Sequence, residues 1–200
     1  MSSRYDRLAP YYDLVSGERL IYRRGRHAAV DLLDLSPGMR VLVPGCGTGL
    51  DLPYLAERVG AGGEIVGVDL SRPMLRRAQR RAHRLGLHNT RLVPGDAALL
   101  AGIDGPFDAV LFSYSLGVID GWRRAWTAAT ALLAPGGRVA VVDTDRPEGP
   151  WWWHHLAETA LAGGGVRPER RVWTLPETLA DASSKSHLRG HIRIGAGTWR

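Results

Sequence analysis

Short apolar runs alternate with longer amphipathic segments along most of the chain. Runs that are rich in β-branched residues and bounded by turn signals predict strands at 39–43, 64–70, 91–93, 107–113 and 138–143. Segments with an apolar stripe predict helices at 5–13, 19–35, 50–59, 72–85, 122–133 and 151–161. Towards the C-terminus, the pattern predicts a strand at 170–175, a short helix at 176–182 and a final strand at 191–197.

This alternation predicts an α/β fold. Strands that alternate with helices form βαβ units, whose strands pair in parallel. Apolar strands favour a sheet that is covered by helices on both faces, and 200 residues suit one compact domain. We therefore predict a doubly wound sheet in a single domain over residues 1–200.

The composition is that of an ordinary globular protein, with 44% hydrophobic and 23% charged residues. No apolar run approaches the length of a membrane span, and the first residues lack the apolar core of a signal peptide. Cys46 is the only cysteine, which agrees with a reducing compartment. These features favour a cytoplasmic location.

The formal net charge is +6, and nearly all the cations are arginines, since Lys185 is the only lysine. A basic protein can meet nucleic acid, an anionic membrane or an acidic substrate. Genome base composition also favours arginine over lysine, and we prefer this explanation because the arginines are spread over several segments. The densest cluster, at 72–84, falls on a predicted amphipathic helix.

The stretch VLVPGCGTGLDL places Gly45, Gly47 and Gly49 directly after the first strand. Glycines at this point of an α/β sheet let a ligand approach the backbone. A P-loop is excluded because Leu50 and Asp51 stand where it needs lysine and a hydroxyl residue. A dinucleotide turn needs a small residue at the place of Leu50. The pattern G-x-G-x-G suits an adenosyl ligand without phosphates.

Two acids follow the next two predicted strands. Asp69 lies about 20 residues beyond the glycines, where a carboxylate accepts the ribose hydroxyls of a nucleoside. Asp96, with the small Ala97 beside it, follows the third strand and suits the adenine amino group. A helix cap at Asp69 and a turn at Asp96 are the alternative interpretations. Acids and glycines at three consecutive strand ends favour a ligand.

These motifs resemble class I S-adenosylmethionine-dependent methyltransferases, from about residue 5 to the final strand. VLVPGCGTG is similar to the family's glycine motif, GVDLS to its ribose acid and PGDA to its adenine-side acid, while FDAVLFS and LLAPGGRVAVVD are similar to its fourth and fifth strands. The resemblance implies a Rossmann-like, mostly parallel sheet of seven strands with an antiparallel last strand. It also implies S-adenosyl-L-methionine as cofactor, bound by Tyr12, Gly45, Cys46, Gly47, Gly49, Asp69, Leu70, Met74, Asp96, Ala97 and Ser113.

The chain departs from the family at Val43, where the family usually has an acid two residues before the first glycine. That acid commonly helps to hold the ammonium group of the cofactor. Asp51 or a backbone carbonyl is a candidate replacement. A chain that binds the cofactor poorly, or uses it unusually, is the alternative.

The N-terminal YDRLAPYYD resembles a lid segment in methyltransferases of ubiquinone and menaquinone biosynthesis and in phosphatidylethanolamine N-methyltransferases. This resemblance implies a helical lid over residues 1–35 and a core over 36–200. FSYSL, after the fourth strand, is closer to the lipid-amine branch. It implies that Tyr5, Tyr12, Ser113 and Tyr114 surround the active site, with Tyr114 facing the sulfonium.

Methyl transfer depends mainly on positioning and desolvation, so it needs no strong base. The candidate bases are His154, His155 and Asp143. Tyr114 and His154 are predicted to be the catalytic residues, although a structural role is the preferred interpretation of each histidine. A metal site is not expected, because adjacent histidines diverge on a helix. Three tryptophans at 151–153 suit a pocket wall or cover better than a membrane contact.

We therefore predict methyl transfer to an amine of a lipid headgroup or small metabolite. The alternatives are O- or C-methylation of a quinone-like or natural-product substrate, and a non-catalytic protein that binds S-adenosylmethionine. We expect no nucleic-acid partner and at most peripheral membrane contact. The sequence does not predict the oligomeric state.

Overall fold

The computed structural model describes residues 22–149 and 167–200. Its strands are β1 (Arg40–Pro44), β2 (Glu64–Asp69), β3 (Thr90–Pro94), β4 (Phe107–Ser113), β5 (Leu133–Thr144), β6 (Ala180–His187) and β7 (Ile192–Thr198). They form one sheet in the order β3-β2-β1-β4-β5-β7-β6. β1 to β5 pair in parallel, and β7 lies antiparallel between β5 and β6. The predicted Rossmann-like fold class is confirmed.

Four α-helices and two 3₁₀ helices lie in the described residues. They are α1 (Arg23–Asp31), α2 (Leu52–Val59), α3 (Arg72–Arg84), α4 (Trp122–Thr130) and the 3₁₀ helices Pro168–Arg170 and Val172–Thr178. Ser71 caps α3 by accepting from the Met74 backbone N–H at 3.4 Å. The helices predicted at 5–13 and 151–161 fall outside the described residues. None of the helices that can be described has the length and apolarity needed to span a bilayer.

The helices cover both faces of the sheet because side chains alternate along each strand. Val41 and Val43 pack with residues of α1, α2 and α3 on one face. Leu42 points the other way and packs with residues of α4 and the 3₁₀ helix Val172–Thr178. This two-sided burial explains why β1, β2, β4 and β5 are apolar, and why the pattern predicted them.

The C-terminal predictions were wrong at two places. Residues 170–175, predicted as a strand, run into the 3₁₀ helix Val172–Thr178, and most of the predicted helix at 176–182 belongs to that helix and to β6. β6 has the sequence ADASSKSH and lies at the edge of the sheet, where polar side chains are common. It therefore lacks the apolar pattern that identifies a strand.

Two glycines of β7 allow the 3₁₀ helix to pack directly on the sheet. A Cβ atom at Gly195 would collide with the backbone carbonyl of Trp173, and one at Gly197 would lie 2.8 Å from the Pro176 carbonyl oxygen. Trp173 itself is buried against the core. The glycines of HIRIGAG thus serve helix–sheet packing.

We predict that Gly195→Ala lowers the free energy of unfolding by about 2 kcal/mol or more, because the added methyl group meets backbone that cannot move aside. Gly62→Ala is the matched control, since a Cβ atom there meets nothing within 4 Å. Urea unfolding of both variants measures the difference. Equal stability of the two variants would show that the 3₁₀ helix is not packed against β7.

Candidate active site

A cavity of about 430 Å³ opens beyond the carboxyl ends of β1 to β4. Its described walls come from the ends of these strands, from the loops and first helical turns that follow them, and from Arg26 of α1. The cavity lies where the strand order reverses between β1 and β4, which is the usual ligand position in an open α/β sheet.

Ten of the residues predicted to form the site line this one cavity. They are Gly45, Cys46, Gly47, Asp69, Leu70, Met74, Asp96, Ala97, Ser113 and Tyr114. Gly49 is not among the described lining residues. Tyr5, Tyr12, His154 and His155 fall outside the described residues, so their roles stay predictions. The lining also includes residues that the sequence did not single out, among them Arg26, Arg124 and the loop at 115–121.

The three glycines of the turn all have left-handed backbone conformations, but the space around them differs. Gly45, Gly47 and Gly49 have φ values of +71°, +54° and +73°. A Cβ atom at Gly45 would lie 2.7 Å from the Ser115 side chain, and one at Gly49 would lie 3.0 Å from the Ala78 Cβ. At Gly47 nothing lies within 4 Å. The outer glycines are therefore needed for packing, and Gly47 offers bare backbone to the cavity.

Asp69 joins the glycine turn to the start of α3. One carboxylate oxygen accepts from the Gly47 N–H at 2.8 Å, and the other accepts from the Ser71 N–H at 2.8 Å. These bonds fix the carboxylate at the cavity wall, where it was predicted to bind ribose. The alternative interpretation, in which Asp69 caps the next helix, accounts for one of these two bonds, because Ser71 lies at the start of α3.

Asp96 is exposed and accepts from the Ala98 N–H at 2.8 Å. It therefore stabilises the turn after β3, as the alternative interpretation expected, and also lines the cavity. Next to it, Ala97 is buried, while Leu70, directly after the neighbouring strand β2, is 57% exposed. Leu70 and Ala97 therefore give that part of the cavity an apolar lining.

Cys46 lies in the turn but is 5% exposed. Burial, followed by the nearby charges of Asp69 and Asp51, raises the pKa of its thiol well above the usual value. The thiol therefore stays protonated near neutral pH and is not a nucleophile.

A buried ion pair joins α1 to the sheet beside the cavity. Nη1 of Arg26 donates to both carboxylate oxygens of Asp51, at 3.0 and 2.9 Å, and to Oγ of Ser113 at 2.7 Å. The Ser113 hydroxyl in turn lies 2.9 Å from Oδ1 of Asp51. Arg26 is 6% exposed and Asp51 3%. Arg26 carries no local signal in the sequence, because its partner Asp51 lies 25 residues away.

Tyr114 packs against this pair. Its φ is +51°, its ring lies 4.9 Å from the Arg26 guanidinium carbon, and its hydroxyl donates to the Tyr22 carbonyl oxygen at 3.1 Å. The ring lines the cavity, as predicted, while the hydroxyl is bonded to backbone at the start of α1. The catalytic role suggested for Tyr114 stays a prediction.

Val43 is 1% exposed and belongs to the core below the turn. Asp51, the candidate substitute for the family acid, is paired with Arg26 and is not among the described residues that line the cavity. Of the two charged partners, it is Arg26 that lines the cavity.

The loop at 115–121 packs against the glycine turn, and two charged residues hold it. Asp143 accepts from the Gly117 N–H at 2.9 Å and from the Thr144 N–H at 2.8 Å. Arg170 donates to the carbonyl oxygens of Gly117 and Ile119 at 2.9 and 2.6 Å. Asp143, a candidate base, is 1% exposed and is not among the described lining residues. Its observed contacts fix the loop.

Comparison with known proteins identifies a methyltransferase domain over residues 41–137. The chain is 35% identical over 193 residues to nocamycin O-methyltransferase from Saccharothrix syringae, covering 96% of this chain and 64% of the relative. It is 28% identical over 150 residues to demethylmenaquinone methyltransferase from Listeria welshimeri, covering 74% of this chain and 64% of the relative. The chain thus spans less than two thirds of the length of these two relatives. A SAM-dependent methyltransferase structure from Aquifex aeolicus has the same fold, with a TM-score of 0.69 and 18% identity over 98% of each chain.

We predict that Arg26→Met lowers the free energy of unfolding by about 3–5 kcal/mol, because it leaves the Asp51 carboxylate buried without its cation. Arg26→Met combined with Asp51→Asn is expected to cost less than the sum of the single changes. Urea unfolding in a double-mutant cycle measures this coupling. The control is Arg58→Met, whose partner Asp31 is half exposed and whose loss is expected to cost about 1 kcal/mol or less. Additive effects at Arg26 and Asp51 would contradict the buried pair.

We predict a pH dependence of stability at Asp143. Burial raises its pKa from 3.8 to about 6, against the lowering effects of the Thr144 and Gly117 N–H groups and of Arg170. The native state therefore binds more protons than the unfolded chain between about pH 4 and pH 6, so the free energy of unfolding falls as the pH rises through this window. The expected contribution is about 3 kcal/mol.

Asp143→Asn removes this titration. Urea unfolding at several pH values should show that the stability of the wild type, relative to Asp143→Asn, falls by about this amount between about pH 4 and pH 6.5. A stability difference that does not change with pH would refute the shift.

Proposed function

We propose that this chain, which matches a methyltransferase domain over residues 41–137 and is 35% identical to an O-methyltransferase, transfers a methyl group from S-adenosyl-L-methionine to a small-molecule acceptor. The observation that carries the proposal is the bare backbone at Gly47 beside the fixed carboxylate of Asp69, both on the wall of one cavity. This arrangement supports a bound nucleoside.

The residues present fit this cofactor. At Gly47 a side chain would occupy space that is open in the cavity, so the ligand is expected to contact the backbone there. Asp69 is held by two N–H groups and is proposed to accept the ribose hydroxyls. The apolar lining from Leu70 and Ala97 suits a flat purine ring, and Asp96 beside them is proposed to meet the adenine amino group.

The charges of the site favour a nucleoside without phosphates. Carboxylates stand at the ends of both β2 and β3, where a pyrophosphate would be repelled. Asp51, immediately after the glycine turn, adds a third carboxylate, although Arg26 balances it. A dinucleotide is therefore disfavoured.

The cofactor supplies an electrophilic methyl group on a sulfonium centre. The chain positions the reactants and excludes water from them. Val118 and Ile119 form the apolar side of the cavity in the loop after β4. Asp143 and Arg170 hold that loop in place. Positioning of two reactants in a desolvated cavity provides most of the rate enhancement for a transfer of this kind. Asp120 and Arg124 are the charged groups of that wall and are proposed to orient the acceptor.

The acceptor is proposed to be an oxygen or carbon atom of a quinone-like or other natural product. The names of the relatives described above, a nocamycin O-methyltransferase and a demethylmenaquinone methyltransferase, support this class. The amine acceptor favoured from the N-terminal and FSYSL segments is the competing proposal. A panel of phenolic, quinol and primary-amine acceptors with radiolabelled S-adenosylmethionine separates the two.

We predict micromolar binding of S-adenosylmethionine and S-adenosylhomocysteine, and no binding of NAD, in calorimetric titrations. Asp69→Ala should weaken the binding of both adenosyl ligands at least tenfold, because a charge-assisted hydrogen bond is lost. Asp104→Ala, at an exposed carboxylate outside the cavity lining, is the control. Binding that survives Asp69→Ala unchanged would refute the ribose assignment. Cofactor binding without transfer to any acceptor class would favour a non-catalytic protein.

A further inference from the structure

The outer face of α3 carries a continuous stripe of arginines. Arg72, Arg76, Arg80 and Arg84 recur every four residues, which places them on one side of the helix over about 18 Å. All four are exposed. Within the part of the chain that the structure describes, none of the four forms an ion pair or a hydrogen bond through its side chain.

The surrounding sequence is basic throughout. Residues 70–95 contain seven arginines and two histidines, and no aspartate or glutamate. Arg91, in β3, pairs with Glu64 of the neighbouring strand, and elsewhere arginines also meet carboxylates, as in the pairs Arg40–Glu64 and Arg58–Asp31, whereas the four arginines of the stripe do not. Genome base composition raises arginine over lysine, but it does not remove acids from one segment alone. The stripe therefore calls for an explanation that is specific to this face.

The fold does not require the stripe. The buried side of α3 consists of Met74, Leu75, Ala78 and Ala82, and these residues provide its packing. Like charges four residues apart repel each other, and Arg72 in the first turn opposes the helix dipole. Both effects destabilise the isolated helix, so the stripe is expected to serve an anionic partner.

Apolar surface lies beside the charge. A groove of about 460 Å³ between α3 and the edge strand β3 is lined by Leu87, Leu92 and Pro94, with the buried Leu75 at its base. Leu85, at the end of α3, is 53% exposed. Arginines that flank exposed leucines are typical of helices that lie on a membrane surface.

We propose that α3 and the adjoining groove dock on an anionic lipid surface. Phosphate groups of the headgroups would pair with the four arginines, while Leu85 and the groove meet the acyl boundary. A single-stranded nucleic acid is the less favoured occupant, because such chains are bound by aromatic stacking. Neither α3 nor the described lining of this groove contains a phenylalanine, tyrosine or tryptophan.

The test is flotation of the full chain with vesicles. We expect the protein to bind vesicles of phosphatidylcholine mixed with phosphatidylglycerol and to dissociate from them at high salt. We expect no binding to vesicles of pure phosphatidylcholine. Replacement of the stripe by glutamine should weaken binding more than about 100-fold, since each arginine near an anionic surface contributes about fivefold. The control has the same net charge and replaces Arg24, Arg123, Arg189 and Arg200 by glutamine.

Circular dichroism and thermal unfolding verify that both variants, each with four arginines replaced, are folded. If the stripe variant does not fold, Arg76→Gln with Arg80→Gln is used instead, with an expected loss of about 25-fold. Equal losses in the stripe and control variants would overturn the proposal, because binding would then follow net charge alone. No binding to anionic vesicles, or binding to an oligonucleotide in their place, would also overturn it.

Discussion

The Arg26–Asp51 pair is the contact on which the geometry of the site depends. It joins α1 to the start of α2, and through Ser113 it joins both to the end of β4. Removing two charges from water is costly, and the cost is offset only when every partner is well placed. The Ser113 hydroxyl and the ring of Tyr114 complete the surroundings of the guanidinium, so the pair fixes several elements at once.

The β–loop–α part of the site was predictable because its signals are local. β1 and β2 are buried on both faces and therefore read as continuous apolar runs. The glycine turn and Asp69 follow those strands directly, and the carboxyl ends of parallel strands meet at one edge of the sheet. Ten predicted residues consequently line a single cavity.

The remaining parts depend on contacts that are distant in sequence. Arg26 is one arginine among several in its segment, and only the fold shows that it meets Asp51 and Ser113. Asp143 was predicted as a candidate base, yet it is buried and accepts a hydrogen bond from the Gly117 N–H, which is a structural contact. β6 is polar because it lies at an edge, and the 3₁₀ helix before it depends on glycines of a strand that comes later in the chain.

The position of Arg26 also bears on how a cationic ligand is tolerated. The family usually has a carboxylate where this chain has Val43, and the only charged partner of the pair on the cavity wall is a guanidinium. An isolated guanidinium would repel a sulfonium, since charges interact strongly in a partly desolvated site. Asp51 lies against Arg26 and offsets its charge, while Asp69 and Asp96 add two carboxylates to the cavity lining. Val43 leaves no carboxylate at the end of β1, and Asp51, which directly precedes α2, instead neutralises the arginine in the cavity wall.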